Sequence, residues 1–303
     1  MNPEQPIDMD RTNKPVVMVL PAYGFDPSEA AIAWKVLMAQ GISVVFATPE
    51  GAPAQADEIM VTGQGLDWWA GVPGLKRIVL VGRLMRANAE ARRALQAMLR
   101  APAFQHPIRY EDIRVESLGG MIFPGGHDKR IRPLLENDVL REKLREAMAD
   151  ADIHKQLPVA AVCHGVLVVA RTLDSRGHSL LKDRSVTALP WDFERKAWWV
   201  SRIFRFWDPH YYRTYQEQPG EACGYMSVEA EVKRALKSPN QFRLPEKHTP
   251  DVWQKTSGMH RDSSSNERPA WVVKDGNLVT ARWPGDVHVF ARTFADVVKA
   301  FQA

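Results

Sequence analysis

The sequence predicts an α/β fold built around a mostly parallel sheet. Short β-branched runs alternate with helical segments: PVVMVL at 15–20 precedes a helical segment, and ISVVFATPEG at 42–51 follows it. A strand, a helix and a strand in this order form a βαβ unit, whose two strands run parallel. With 303 residues, of which 45% are hydrophobic, the chain is long and apolar enough to bury a substantial core.

The helix between these two strands carries its own start and stop signals. Asp26 is expected to cap its N-terminus, and Pro27 suits the first helical position. Glu29 completes a capping-box pattern with Asp26, and Gly41 is expected to end the helix.

Two long segments interrupt the alternation and are predicted to be insertions into one domain that spans residues 1–303. The first, at about 52–116, contains a turn-rich stretch, the apolar run IVLVG at 78–82 and a helix at about 86–100. The second, at about 195–269, becomes polar and proline-rich toward its end.

The α/β alternation returns between and after these segments. SLGGMIFPGG at 117–126 predicts a strand that ends in a glycine turn, and a helix is expected at about 133–150. The chain closes with a hairpin across Asp275 and Gly276 and a final helix.

Composition and charge exclude several classes of protein. A net charge of +4, from 40 basic and 36 acidic residues, is too balanced for a protein that coats nucleic acid. Two cysteines cannot form a disulfide framework. No apolar run approaches the roughly 20 residues that span a bilayer, and the polar N-terminus lacks signal-peptide character. We therefore expect a reduced, soluble, cytoplasmic protein without nucleic-acid or membrane partners.

The most informative feature is a cysteine at the junction of a strand and a helix. The apolar run at 158–162 ends at Cys163, and an apolar helical segment follows His164 and Gly165 directly. Such a turn exposes its side chain at the carboxyl edge of the sheet, where open α/β folds bind ligands. The helix N-terminus is expected to favour the thiolate. Cys223 has no such setting and is expected to be incidental.

The sequence resembles the ThiJ/PfpI family of the class I glutamine amidotransferase-like superfamily, in particular its larger, glyoxalase III-like members. AVCHG around Cys163, PGGHD at 124–128 and YGFDPSEA at 23–30 carry the resemblance. It implies a flavodoxin-like three-layer sandwich that assembles as a homodimer or higher homo-oligomer. It also implies a cysteine-dependent enzyme that acts on a small-molecule carbonyl substrate without a cofactor.

The resemblance also assigns site residues. Cys163 is the nucleophile, His164 its base, and Glu29 a carboxyl group placed against the thiol, where it is expected to be protonated. Glu194, four residues after Pro190, is assigned as the third member of a Cys163–His164–Glu194 triad, with Asp192 as its competitor for this role.

The Gly125–Gly126 turn is assigned to an oxyanion hole, formed by the N–H groups of Gly126 and His164. His127 and Asp128 follow that turn, but no spacing of further ligands supports a metal site there, so none is expected. Residue 290 is Phe rather than the glutamate that glutamine amidotransferases carry two positions after their histidine, here His288, which argues against glutaminase activity.

The segment 191–215 is dense in aromatic residues and carries several arginines. We expect a lid or an oligomer interface that shapes access to Cys163. The most concrete functional prediction is glutathione-independent conversion of methylglyoxal to lactate. A cysteine peptidase or amidase, and a stress-response chaperone or redox sensor that uses the same cysteine, remain alternatives.

Overall fold

The structure is a computed structural model that describes residues 14–72, 74–75 and 77–303. Its strands are β1 (Val16–Val19), β2 (Tyr23–Phe25), β3 (Val44–Thr48), β4 (Gln55–Ala56), β5 (Ile108–Arg109), β6 (Gly120–Phe123), β7 (Val159–Val162), β8 (Val272–Asp275) and β9 (Leu278–Ala281).

Helices occupy most of the connections between these strands. They are α1 (Pro27–Ala39), α2 (Glu58–Thr62), α3 (Val81–Met85), α4 (Ala89–Arg100), α5 (Pro102–Gln105), α6 (Arg132–Leu135), α7 (Asp138–Ala147), α8 (Val166–Arg171), α9 (Trp191–Phe204), α10 (Val228–Ala235), α11 (Val252–Thr256) and α12 (Val287–Gln302).

The central layer is a seven-stranded sheet in the order β5-β3-β1-β6-β7-β9-β8, parallel except for the antiparallel β8–β9 hairpin. Helices α1, α4 and α12 contact one another on one side, and α8 contacts α6, α7 and α10 on the other. This is the predicted flavodoxin-like three-layer α/β fold. Every residue of β1, β6 and β7 is buried, because both faces of a parallel sheet are covered by helices.

The first predicted insertion contributes to this sandwich. Helix α4 buries its apolar face, which includes Leu95 and Met98, in the main core, and β5 pairs with β3 at the edge of the sheet. The predicted helix at 133–150 is divided into α6 and α7. The Asn137 side chain accepts a hydrogen bond from the Leu140 N–H, so a new helix starts at that point.

Across the described ranges 14–72, 74–75 and 77–303, no helix combines the length and apolarity that crossing a membrane requires.

A buried ion pair joins the second insertion to the end of the sheet. Arg282 Nη2 lies 2.7 Å from Asp286 Oδ1, and the Asp286 carboxylate also accepts a hydrogen bond from the Trp271 N–H. Arg282 further donates to the carbonyl oxygens of Lys255 and Pro269. This pair therefore holds the ends of the 255–271 segment in place.

Replacement of Asp286 by Ala is expected to lower the free energy of unfolding by about 3–5 kcal/mol, because it leaves a buried guanidinium without its carboxylate. Urea unfolding measures the change. Glu267→Ala, which removes the exposed partner of Arg292, is the matched control and is expected to have little effect. Equal stability of the two variants would contradict this role for the Arg282–Asp286 pair.

Candidate active site

Cys163 occupies the sharp turn that the sequence predicts. It directly follows β7, has a φ angle of +58° and opens a short 3₁₀ turn that leads into α8. A positive φ is rare for a residue with a side chain and stores strain in the backbone. Gly165 permits the tight turn, since a Cβ there would lie 2.2 Å from the Phe123 carbonyl oxygen. The Cys163 side chain is thereby placed at the carboxyl end of the sheet.

His164 lies beside the thiol, and its other nitrogen contacts a threonine. Its Nδ1 is 3.5 Å from Cys163 Sγ, and its Nε2 is 3.0 Å from Thr214 Oγ1. The Thr214 hydroxyl donates its single proton to the His127 carbonyl oxygen at 2.7 Å. Nε2 must then carry the imidazole proton and donate it to Thr214, which leaves the lone pair of Nδ1 facing the thiol. This hydrogen-bond network assigns Nδ1 as the base toward Cys163.

Thr214 is a site residue that the sequence analysis missed. It is completely buried, and Arg132 Nε fixes its backbone by donating to the Thr214 carbonyl oxygen at 2.7 Å. It lies in an irregular segment about fifty residues after His164, where no periodicity or motif marks it. Only carboxylates were considered as partners of His164 from the sequence, and a threonine is not among them.

Glu194 does not orient His164 in this structure, so this part of the predicted triad is corrected. Glu194 Oε1 lies 3.1 Å from Arg213 Nε, and its Oε2 accepts a hydrogen bond from the Val228 N–H. Burial raises the pKa of Glu194 to about 7. Its competitor Asp192 is half-exposed and pairs with Lys196. Glu194 still lines the cavity that contains Cys163, and a catalytic role for it remains a prediction.

Glu29 connects the first turn of α1 to the glycine turn after β6. Its Oε2 accepts a hydrogen bond from the Gly125 N–H at 2.7 Å, and the Asp26 N–H donates to the Gly125 carbonyl oxygen. Asp26 caps α1 as predicted, but the Glu29 side chain does not return to Asp26, so no capping box forms. Its carboxyl group instead lies near the side chain of Cys163, and its Oε1 is buried without a hydrogen-bond partner among the described residues.

Burial shifts the pKa of each reacting group toward its neutral form. Burial and the nearby Asp26 carboxyl group raise the pKa of Glu29 well above its usual range, which is the direction expected for a carboxyl group placed against the thiol. Burial and the same carboxyl groups also raise the pKa of the Cys163 thiol. Burial, together with the nearby His127, Arg171 and Arg213, lowers the pKa of His164 to about 3. Desolvation therefore opposes the thiolate that the helix N-terminus is expected to favour.

The assignment of Gly125 to the predicted oxyanion hole is corrected. The Gly125 N–H is occupied by Glu29 and does not point to a substrate. Gly126 lines the cavity beside Cys163 and has a φ angle of +156°. A Cβ at Gly126 would lie 2.4 Å from the Gly24 carbonyl oxygen, so only glycine fits. The N–H groups of Gly126 and His164 remain the candidate oxyanion donors.

A cavity of about 470 Å³ opens onto the thiol. Its walls come from α1, α9 and the two predicted insertions, and most of its lining is apolar. The apolar lining consists of Met60, Met85, Leu189, Phe193, Ala197, Val200, Met259, Trp283 and Pro284. The aromatic-rich helix α9 is thus one wall of the cavity, and Arg261 adds a cation to it.

His127 and Asp128 contact other side chains of the protein and do not face a common position that a metal ion could occupy. The His127 ring packs against Tyr211 and Tyr212, and its Nε2 is 3.6 Å from Asp57 Oδ2. Asp128 pairs with Arg130 at 2.6 Å. Within the described part of the chain, no group of three or more His, Cys, Asp or Glu residues is arranged to hold a metal ion.

Solved structures share this architecture at low sequence identity. The Rapid Encystment Protein of 24 kDa from Francisella tularensis is 15% identical with a TM-score of 0.55, over 94% of this chain and 99% of that one. Glyoxalase III from Candida albicans is 17% identical with a TM-score of 0.50, over 94% and 96%. A ThiJ/PfpI domain protein from Brachyspira murdochii is 13% identical with a TM-score of 0.50, over 95% and 98%. These likenesses establish the fold alone.

A curated relative matches only locally. The pyridoxal 5'-phosphate synthase subunit PdxT of Corynebacterium jeikeium (strain K411) is 41% identical over 70 residues, or 22% of this chain, and the match spans about a third of that protein (33%). The family model described as ThiJ/PfpI family-like, in contrast, matches residues 20–219. That range contains the Cys163 turn, Glu29 and the glycine turn, so the chain belongs to the ThiJ/PfpI-like family.

Proposed function

We propose that this protein is a cysteine-dependent enzyme that acts on small carbonyl compounds, most concretely a glutathione-independent glyoxalase that converts methylglyoxal to lactate. The observation that carries the proposal is the placement of the Cys163 thiol between His164 Nδ1 and the carboxyl group of Glu29, at one end of a largely apolar cavity. The fold shared with the Candida albicans glyoxalase III supports it.

The first step forms a hemithioacetal. Cys163 Sγ attacks the aldehyde carbon, the thiol proton passes to His164 Nδ1, and the proton of Glu29 passes to the former carbonyl oxygen. The N–H groups of Gly126 and His164 stabilise the negative charge that develops on that oxygen. This step leaves Glu29 as a carboxylate and His164 as an imidazolium.

The second step moves a proton between the two carbons. The Glu29 carboxylate removes the hydrogen of the first carbon as a proton, and the electron pair forms the double bond of an enediol while His164 protonates the second oxygen. Glu29 then protonates the second carbon, and His164 takes the proton of the first hydroxyl. A raised pKa suits Glu29 to this work, because its carboxylate is a stronger base than an exposed one.

Hydrolysis completes the cycle. Water attacks the resulting 2-hydroxyacyl thioester and gives one proton to the Glu29 carboxylate. The carbon–sulfur bond breaks, and His164 returns a proton to the leaving sulfur. Methylglyoxal and one water thus become lactic acid, and the thiol, His164 and Glu29 return to their neutral starting states.

A chaperone role is the second candidate, because exposed apolar side chains lie on α9 and just after its end. Trp199, Ile203 and Phe206 are 53%, 60% and 65% exposed. Large exposed apolar patches often bind other proteins. Suppression of the aggregation of a heated client protein that persists in Cys163→Ala and is lost in Ile203→Glu would favour this role over catalysis.

Cys163→Ala is expected to abolish lactate formation from methylglyoxal, because no other described residue supplies the nucleophile at this position. Enzyme-coupled detection of D- and L-lactate without glutathione measures it. Cys223→Ala, which removes the exposed cysteine, is the control and is expected to retain full activity. Absence of lactate from the wild-type protein at high enzyme concentration would rule out the glyoxalase proposal.

Thr214→Val is expected to lower kcat at least about tenfold with little change in KM, because the unpaired imidazole no longer keeps its proton on Nε2. Thr214→Ser retains the hydroxyl and is expected to restore most of the activity. Steady-state kinetics on methylglyoxal measures both variants. An unchanged kcat in Thr214→Val would contradict the positioning role.

The pH dependence of alkylation by iodoacetamide is expected to show the raised pKa of the Cys163 thiol. Because the reagent reacts with the thiolate and the Cys163 pKa is raised, its rate should still be rising about tenfold per pH unit above pH 9. Peptide mass spectrometry follows Cys163, with the exposed Cys223 as an internal control for the reagent. A rate at Cys163 that has levelled off by pH 7 would show a thiolate and contradict this description.

A further inference from the structure

The cavity contains one feature that a three-carbon dicarbonyl does not use. We propose that Arg261 binds a carboxylate on the substrate, so that the protein acts on a carbonyl compound with an apolar body and an acidic group. This inference rests on the proposed function for the reacting carbonyl and adds the substrate class. Two observations carry it: Arg261 has no carboxylate partner among the described residues, and the volume and lining of the cavity fit a larger ligand.

Three arginines of the described chain are at most 7% exposed, and each lies near a carboxylate. The pairing offsets the cost of removing a guanidinium from water, which is large when no opposite charge is near. They are Arg184 with Asp275 at 3.7 Å, Arg213 with Glu194 at 3.1 Å and Arg282 with Asp286 at 2.7 Å. Arg261 itself is partly exposed where it lines the cavity.

Arg261 lacks such a partner among the described residues. Its Nη1 makes a long hydrogen bond of 3.4 Å to Ser28 Oγ, and its guanidinium carbon lies 5.7 Å from the centre of the Trp283 ring. No carboxylate oxygen of the described chain is within 4.0 Å of it. Asp26 attracts it from farther away, while the Asp26 side chain is engaged with the N–H groups at the start of α1. The guanidinium therefore has donors left for an anion in the cavity.

The other charged groups of the cavity leave this position available. Burial favours the neutral form of Glu29, and Glu194 is paired with Arg213. The Asp26 carboxyl group, which also lines the cavity, accepts the N–H groups of Ser28 and Glu29. Lys196, the other cationic side chain in the lining, is half-exposed and bound to Asp192 at 2.6 Å. Arg261 is thus the cation in the described lining that an acidic ligand would meet.

The dimensions and lining fit a ligand larger than methylglyoxal. A volume of about 470 Å³ lies within the range of pockets that enclose drug-sized molecules. Leu189, Phe193 and Trp283 supply an apolar wall for the body of the ligand. Cys163 would meet the carbonyl, and Arg261 would hold the carboxylate through paired N–H groups.

The test uses two unreactive probes of equal shape, 3-phenylpropanoate and its neutral amide 3-phenylpropanamide. Isothermal titration calorimetry of the wild-type protein at pH 7.5 is expected to show the acid binding at least about tenfold more tightly than the amide. Arg261→Gln is expected to remove this preference, and Arg261→Lys to keep part of it.

The matched control is Arg268→Gln, on the same segment. Arg268 is exposed and pairs with Asp251 at 3.3 Å, outside the cavity lining, so the preference for the acid should persist. Equal affinity for acid and amide in the wild type, no measurable binding of the acid, or a preference unchanged in Arg261→Gln would each overturn the inference. The wild-type comparison decides the question even if Arg261→Gln does not fold.

Binding of these probes is independent of turnover, which separates the two proposals. A preference for the acid without lactate formation would contradict the glyoxalase reaction alone. Lactate formation without a preference for the acid would contradict the role of Arg261 alone.

Discussion

The site depends on one buried carboxyl group, that of Glu29. One of its oxygens accepts the Gly125 N–H, which ties α1 to the turn after β6, and the carboxyl group also contacts Cys163. Removal from water makes the ionised form costly there, and a second carboxyl group, Asp26, adds to the cost. Both effects favour the protonated form of Glu29 at the point where the thiol must react.

This constraint explains why the resting site is neutral. A thiolate beside a carboxylate would place two negative charges in the same apolar surroundings, so the pKa of both groups rises. His164, buried among cations, stays unprotonated and offers Nδ1 to the thiol because Thr214 holds Nε2. The charges that the proposed reaction needs arise only when a substrate carbonyl accepts electrons, which limits the reaction of Cys163 with other electrophiles.

The sequence predicted the part of the site that is local in the chain. The order of strand, cysteine, histidine, glycine and helix defines the Cys163 turn, and the parallel α/β sandwich follows from the alternation of apolar runs. The family resemblance placed Glu29 and the glycine turn. Gly125 was assigned to the oxyanion hole together with Gly126, because the sequence does not show that the Gly125 N–H donates to Glu29.

The remaining parts depend on long-range packing. Thr214 contacts His164 from an irregular segment of the chain. Glu194 forms an ion pair with Arg213 instead of contacting His164, and no spacing in the sequence indicates that pair. Arg261 lies in a polar stretch that was interpreted as a long insertion. The raised pKa of Cys163 could not be predicted, because a helix N-terminus can be recognised in a sequence, whereas the burial that opposes it cannot.

Infrared difference spectroscopy of the wild-type protein against Glu29→Gln at pH 7 tests this description of the site most directly. The expected result is a carbonyl stretch of a protonated carboxylic acid in the wild type that is absent from the variant and persists above pH 7. Loss of carboxylate bands instead, with the protonated-acid region unchanged, would show that Glu29 is ionised. That result would contradict both the neutral resting site and the proton transfers assigned to Glu29.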